Sequence, residues 1–237
     1  VGAGLFSATE LQQEWMMKQN VMIVPGVGGS GPDHWQSWFE RRLPHPHRLT
    51  GVDWEAPVLA EWGRCLKQQV RTVGERVWLV AHSFGCLVSA VIAADIPEEI
   101  AGVLMVAPAD PRRFHPLGRK GCLDAEAGSL EPLMPAFKLG LPGLLVCSSN
   151  DPWMEEAQAK VWAERWGLPT YTMSSAGHVN ADSGFGPWPE GLAILTALMK
   201  NSTSSGPHLG HQPPVRRAGR GGVLAKVRLE TRKQLGI

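Results

Sequence analysis

The chain has 237 residues, a length that suits one α/β domain with a tail or at most two small domains, and its hydrophobic share of 43% is ordinary for a globular protein. The net charge of +1 hides an asymmetry: from Asn201 onward seven Lys/Arg face one Glu, a tail of +6, and the remainder carries 16 basic and 21 acidic groups, or −5. A mildly acidic body argues against a nucleic-acid-binding core, and no secretory signal or apolar run of about 18 residues is visible, so the expectation is a cytoplasmic protein that does not engage a membrane.

Residues 1–19 read as an N-terminal extension, because Met17-Lys18-Gln19-Asn20 resembles a natural start just before the first strand. Residues 21–25 form a short apolar run ending in a glycine-rich turn, hence a buried strand. Residues 33–43 place Trp35, Trp38 and Phe39 at helical spacing. Residues 49–54 read as a short strand. Residues 57–73 are amphipathic, with Leu59, Trp62, Leu66 and Val70 on one face and Pro57 suited to a first helical turn. Residues 77–80 predict a strand and 84–95 a helix. Further strands are predicted at 102–106, 144–147 and 170–173, with helices at 155–166 and 189–200. Residues 108–142 break this rhythm and read as a small lid over a site. From Asn201 to Ile237 the composition is Ser/Gly/Pro/Arg-rich, which predicts a basic, largely disordered tail.

Strands alternate with helices throughout, and the strands are short and continuously apolar. That pattern defines an α/β fold with three layers and a mostly parallel central sheet, here over residues 20–200. In such sheets ligands bind at the carboxyl ends of the strands.

Ala81-His82-Ser83-Phe84-Gly85 stands where a predicted strand turns into a helix. The arrangement approximates Gly-x-Ser-x-Gly, the sharp turn that lifts a nucleophilic serine above a sheet edge, with Ala81 in place of the first glycine. A serine hydroxyl needs a base to take its proton and a group to hold that base. Both follow in the order Ser, Asp, His. Asp151 lies after the strand ending at Cys147, and His178 after the strand ending at Met173. Ser83 is therefore the expected nucleophile, His178 the base and Asp151 the acid. Asp182 competes for the acid role but shares the loop of His178. An oxyanion needs two backbone donors: Phe84, next after the serine, and an amide of the "PGVGGSG" loop, for which Val27 is the candidate.

The same loop carries a rival reading. Gly26-Val27-Gly28-Gly29-Ser30-Gly31 satisfies G-x-G-x-x-G, and Asp53 follows at about the spacing of a ribose-binding acid, as in dinucleotide sites. Pro25 and Pro32 weaken it by interrupting the strand-to-glycine junction and delaying the helix. A Walker loop is excluded, since Pro32-Asp33 follow Gly31. Cys65, Cys86, Cys122 and Cys147 show no Cys-x-x-Cys spacing, and His45, His47, His208 and His211 read as solvated, so no metal is expected. Cys86, inside the elbow helix, reads as a buried core thiol.

Four motifs, "VPGVGGSGPDHWQSWFE", "VAHSFGCLVS", "SSNDPW" and "AGHVNADSGFGPWPEG", together resemble the retinoblastoma-binding protein 9 family of serine hydrolases, which includes bacterial YdeN-like proteins. The resemblance covers residues 20–200. It implies a compact α/β-hydrolase without metal or organic cofactor and the same three residues, Ser83, Asp151 and His178. It also implies roles for His34, Trp35 and Trp188, assigned here to substrate binding, although packing of the surrounding loops by Trp35 and Trp188 is an equal reading. Small-molecule esters or amides are the implied substrates. No Leu-x-Cys-x-Glu motif is present, so a retinoblastoma-protein partner is not carried over and protein partners stay open. The expected function is thus hydrolysis of carboxylic esters or related acyl bonds through an acyl-enzyme. The alternatives are a catalytically silent binding protein of the same fold and the dinucleotide-binding reading.

Overall fold

The computed structural model describes residues 18–118 and 128–204. Most of the expected N-terminal extension, residues 119–127 of the expected lid, and the expected tail beyond Ser204 lie outside the described residues.

Six parallel strands form one sheet: β1 (Asn20–Val24), β2 (Pro46–Arg48), β3 (Val77–His82), β4 (Ile100–Val106), β5 (Gly143–Ser148) and β6 (Thr170–Met173), in the order β2-β1-β3-β4-β5-β6. Among the described residues four α-helices connect strands, α1 (Trp35–Glu40), α2 (Leu59–Val73), α3 (Phe84–Asp95) and α4 (Glu156–Trp166), and α5 (Pro189–Ser204) follows β6. Alternate side chains of β1, β3, β4 and β5 enter different cores, as a pleated backbone requires. Val21, Ile23, Trp78, Val80, Leu104, Val106 and Val146 meet Trp35 and Phe39 of α1 and Leu195 and Met199 of α5. Met22, Val24, Leu79, Ala81, Val103, Met105 and Leu145 meet Trp62 of α2, Leu87 of α3, and Trp162 and Trp166 of α4. Apolar residues on both faces of a strand are thus the signature of a sheet sandwiched between helix layers.

Three expectations are corrected. The strand predicted at 49–54 is instead β2, which pairs Pro46 with Val21 and Arg48 with Ile23. Proline is tolerated there because β2 is an edge strand, and Gly51, at φ 70°, turns the chain away just afterwards. Helix α2 starts at Leu59, capped by Val58, so Pro57 precedes it. Helix α5 continues past Asn201 to Ser204.

The parallel register brings the carboxyl ends of β1, β3, β5 and β6 to one edge of the sheet. The segments carrying residues 25–31, 83, 151 and 178 all leave from that edge.

Candidate active site

Ser83 stands between the last residue of β3, His82, and the first residue of α3, Phe84, with φ 54° and ψ −125°, a conformation that L side chains rarely adopt. Such strain persists only where neighbours fix it. Here Ser83 N–H donates to Val106 O at 3.1 Å, and Cys86 N–H donates to Ser83 O at 3.0 Å. The elbow needs small neighbours because other backbone passes close by. A methyl at Gly85 would collide with the carbonyls of Val24 and Pro25, and one at Gly26 would lie 2.7 Å from Ser83 Cβ. Ala81 occupies the place of the first glycine of the pattern and is fully buried.

Ser83 Oγ lies 2.9 Å from His178 Nε2. On the other side of the ring, His178 Nδ1 lies 2.9 Å from Asp151 Oδ1 and 3.0 Å from Oδ2. Asp151 Oδ1 also accepts from Trp153 N–H at 2.8 Å, which fixes the carboxylate plane. Both ring partners are enclosed, the Asp151 side chain being 3% exposed and that of His178 8%. The backbone of His178 is held at both ends: its N–H donates to Ser183 Oγ at 3.1 Å, and its carbonyl accepts from His82 Nε2–H at 2.9 Å.

His82 thereby ties the residue before Ser83 to the loop that carries His178. Burial, followed by the nearby charges of His178 and His34, pushes its pKa well below the ordinary imidazole value, against the opposing pull of the His178 carbonyl. The ring therefore stays neutral. His34 packs edge-on against it with ring centroids 4.8 Å apart. His34 Nδ1 accepts from Gln36 N–H at 3.1 Å and caps α1, while its Nε2 is buried without a hydrogen-bond partner among the described residues. Burial, then Arg48 and His178, lower the His34 pKa to about 4, so this cap is also a neutral ring.

These groups face a cavity of about 490 Å³, whose walls include Val27, His34, Ser83, Phe114, Trp153 and His178. Asp33 and Asp182 lie on it, and among the described residues no Lys or Arg does. Phe114 comes from the irregular stretch expected to form a lid. In the glycine loop, Gly28 N–H donates to Trp54 O at 3.0 Å and Gly29 N–H to Gly26 O at 3.1 Å, so these two amides are committed within the fold.

Of the residues singled out from sequence, Ser83, Asp151, His178, Val27, Phe84 and His34 are brought together. Trp35 and Trp188 are not on the cavity, which corrects their assignment to substrate binding. Trp35 is wholly buried, donates from Nε1 to Val179 O at 2.8 Å and packs edge-on against Trp188 at 5.3 Å between ring centroids. The two rings support the loop that carries His178 from beneath. Asp182 is exposed on the cavity wall and forms no contact with the imidazole. The dinucleotide alternative does not fit either. Helix α1 has only six residues and starts at Trp35, and Asp53 follows a loop and caps Glu55 N–H at 2.9 Å. Sequence reasoning missed His82, Ser183, Phe114 and Trp153. His82 had a visible signal in its place next to the nucleophile candidate, but its partner is a backbone carbonyl 96 positions away. Among the described residues no group of three or more His, Cys, Asp or Glu is placed to hold a metal ion, and no helix is long and apolar enough to cross a membrane.

A parallel sheet with a strained serine at a strand-to-helix turn defines an α/β hydrolase fold. The family model described as serine hydrolase matches residues 21–197, and the chain belongs to that family. It is 22% identical to YdeN of Bacillus subtilis (strain 168) over 201 residues, covering 79% of this chain and all of that protein. A YdeN-like hydrolase from Pectobacterium atrosepticum superposes with a TM-score of 0.71 at 32% identity, covering 83% of this chain and 99% of that one. A protein of the α/β hydrolase superfamily from Xanthomonas campestris superposes with a TM-score of 0.52 at 16% identity, over 78% of this chain and 98% of that one, a likeness of fold alone.

Proposed function

We propose that the protein cleaves carboxylic esters or related acyl bonds by way of an acyl-enzyme on Ser83. The observation that carries this reading is the continuous relay from Asp151 through His178 to Ser83 Oγ, with contacts of 2.9 Å on either side of the imidazole, ending at a cavity. Asp151 holds the proton on Nδ1, which leaves the Nε2 lone pair directed at the hydroxyl. As Oγ attacks the acyl carbon, its proton passes to Nε2 and the carbonyl oxygen becomes an oxyanion. The oxyanion is stabilised by the amides of Phe84 and Val27. Phe84 opens α3, so its N–H lies in the first helical turn, where no intrahelical acceptor exists. The imidazolium then gives its proton to the leaving alkoxide, which departs as the alcohol. In the second half a water molecule gives a proton to Nε2 and attacks the acyl-Ser83. Collapse of that adduct releases the acid and returns the proton to Oγ.

A cavity of about 490 Å³ walled in part by Val27, Phe114 and Trp153 suits small apolar acyl groups. A cytoplasmic location belongs to the same reading, because Cys65, Cys86 and Cys147 are buried free thiols, the state that a reducing compartment maintains.

A fluorophosphonate probe tests the mechanism. The folded protein should label and Ser83→Ala should not. A folded protein that fails to label, or labelling that survives Ser83→Ala, would favour a binding protein on the same scaffold. A panel of p-nitrophenyl esters of increasing acyl length then tests the substrate reading, with the highest kcat/KM expected for short chains.

A further inference from the structure

Asp151 is preceded by Ser148, Ser149 and Asn150, and His178 is preceded by Ser175, Ala176 and Gly177. The side chains of the first set take the amides of the second, one for one. Ser149 Oγ accepts from Ser175 N–H at 2.9 Å, Ser148 Oγ from Ala176 N–H at 3.0 Å, and Asn150 Oδ1 from Gly177 N–H at 2.8 Å. Ser148 O–H donates in turn to Asn150 Oδ1 at 2.9 Å. The Asn150 atom receives two donors, so it must be the amide oxygen.

The loop held in this way is strained. Ser175, Gly177 and Val179 have φ of 50°, 56° and 48°, and two of these three are not glycine. Left-handed residues of that kind persist where surrounding contacts over-determine them. The acceptors come from the segment that continues directly into Asp151, so the acid and the support of the base share one rigid stretch at the end of β5.

We infer that Asn150, with Ser148 and Ser149, forms a positioning clip that fixes His178 relative to Asp151 and so keeps the imidazole aimed at Ser83. The inference rests on the catalytic reading given above. Asn150 does not line the cavity, so it acts through His178 and not on substrate. A neutral amide also suits the site chemically. It accepts two hydrogen bonds without adding a second negative charge beside Asp151.

Three observations on Asn150→Ala and Asn150→Asp test the clip. Asn150→Ala should lower kcat by on the order of 10–100-fold, the scale of a small misplacement of a catalytic group, with KM little changed. Asn150→Asp keeps the acceptor and should recover most of that loss on its pH plateau. Its added negative charge favours the imidazolium, so the acidic limb of its pH–rate profile should move to higher pH. A loss confined to KM, an unchanged kcat in Asn150→Ala, or an aspartate variant no better than alanine would overturn the clip. The third observation needs no substrate. The Nδ1–H proton of His178, shared with Asp151, should give a far-downfield NMR resonance in the wild type. It should broaden or vanish in Asn150→Ala and return in Asn150→Asp. A wild type without the resonance, or an alanine variant that retains it, would also overturn the clip. If the wild type neither labels nor hydrolyses any ester, the hydrolase reading fails by itself and the resonance still decides the clip.

Discussion

Replacing Asp151 by Asn changes one atom, and the geometry fixes the consequence. Both carboxylate oxygens lie within 3.0 Å of His178 Nδ1, and Oδ1 also takes the Trp153 N–H. The asparagine oxygen stays on that second donor, since the Trp153 N–H cannot donate to an NH2 group. Its NH2 then replaces Oδ2 beside Nδ1. With an NH2 in place of Oδ2, an Nδ1 that accepts from it is favoured over an Nδ1–H that faces it, so the imidazole proton moves to Nε2. Nε2–H then donates to Ser83 Oγ instead of taking its proton, and the base is lost with the fold intact. In a comparable triad this tautomer change costs about ten-thousand-fold in kcat, or about 5 kcal/mol of transition-state stabilisation. Asp182→Asn should cost far less, because that carboxylate is exposed on the cavity wall and does not touch the ring. Steady-state hydrolysis of a short-chain p-nitrophenyl ester measures both variants, and circular dichroism checks that each is folded. A larger loss at Asp182 than at Asp151 would refute the assignment of the acid, although Ser83 and His178 would stand.

Two other predictions follow from the packing of the site. In the folded protein His34 titrates near 4 against an ordinary 6.5, so between these values the unfolded chain holds more protons and stability falls as pH falls through the window, by up to about 3 kcal/mol. His82 works in the same direction. Thermal unfolding followed from pH 7 to pH 4 should show this slope, and His34→Asn, which can cap α1 without titrating, should flatten it; an unchanged slope would mean that the neutral His34 ring is not its source. Gly26→Ala would set a methyl 2.7 Å from Ser83 Cβ and 3.2 Å from Oγ, so fluorophosphonate labelling should slow by on the order of 100-fold in a protein that still folds, whereas labelling at the wild-type rate would show that the loop yields to the methyl.

The alternation of strands and helices, and the candidates at the strand ends, are legible in the amino-acid pattern alone. Continuously apolar strands such as Val77–His82 can be stable only between two helix layers, and a serine between small residues at a strand-to-helix turn needs a later acid and base to become reactive. Strand ends also carry a direction that chain order preserves, which is why Ser83, Asp151 and His178 could be grouped as candidates before their contacts were known. Other features depended on which distant atoms meet. The strand at Pro46–Arg48 is chosen by its pairing with β1, not by its own apolar content. Trp35 and Trp188 could equally have lined a pocket or packed beneath it, and only the positions of α1 and the loop after His178 bury them. The roles of His82, Ser148, Ser149 and Asn150 are set by backbone groups 26 to 96 positions away. A side chain announces its chemistry in the sequence, but every backbone amide and carbonyl reads alike there, so the partner of a polar side chain is decided only when the tertiary structure brings one of them within reach.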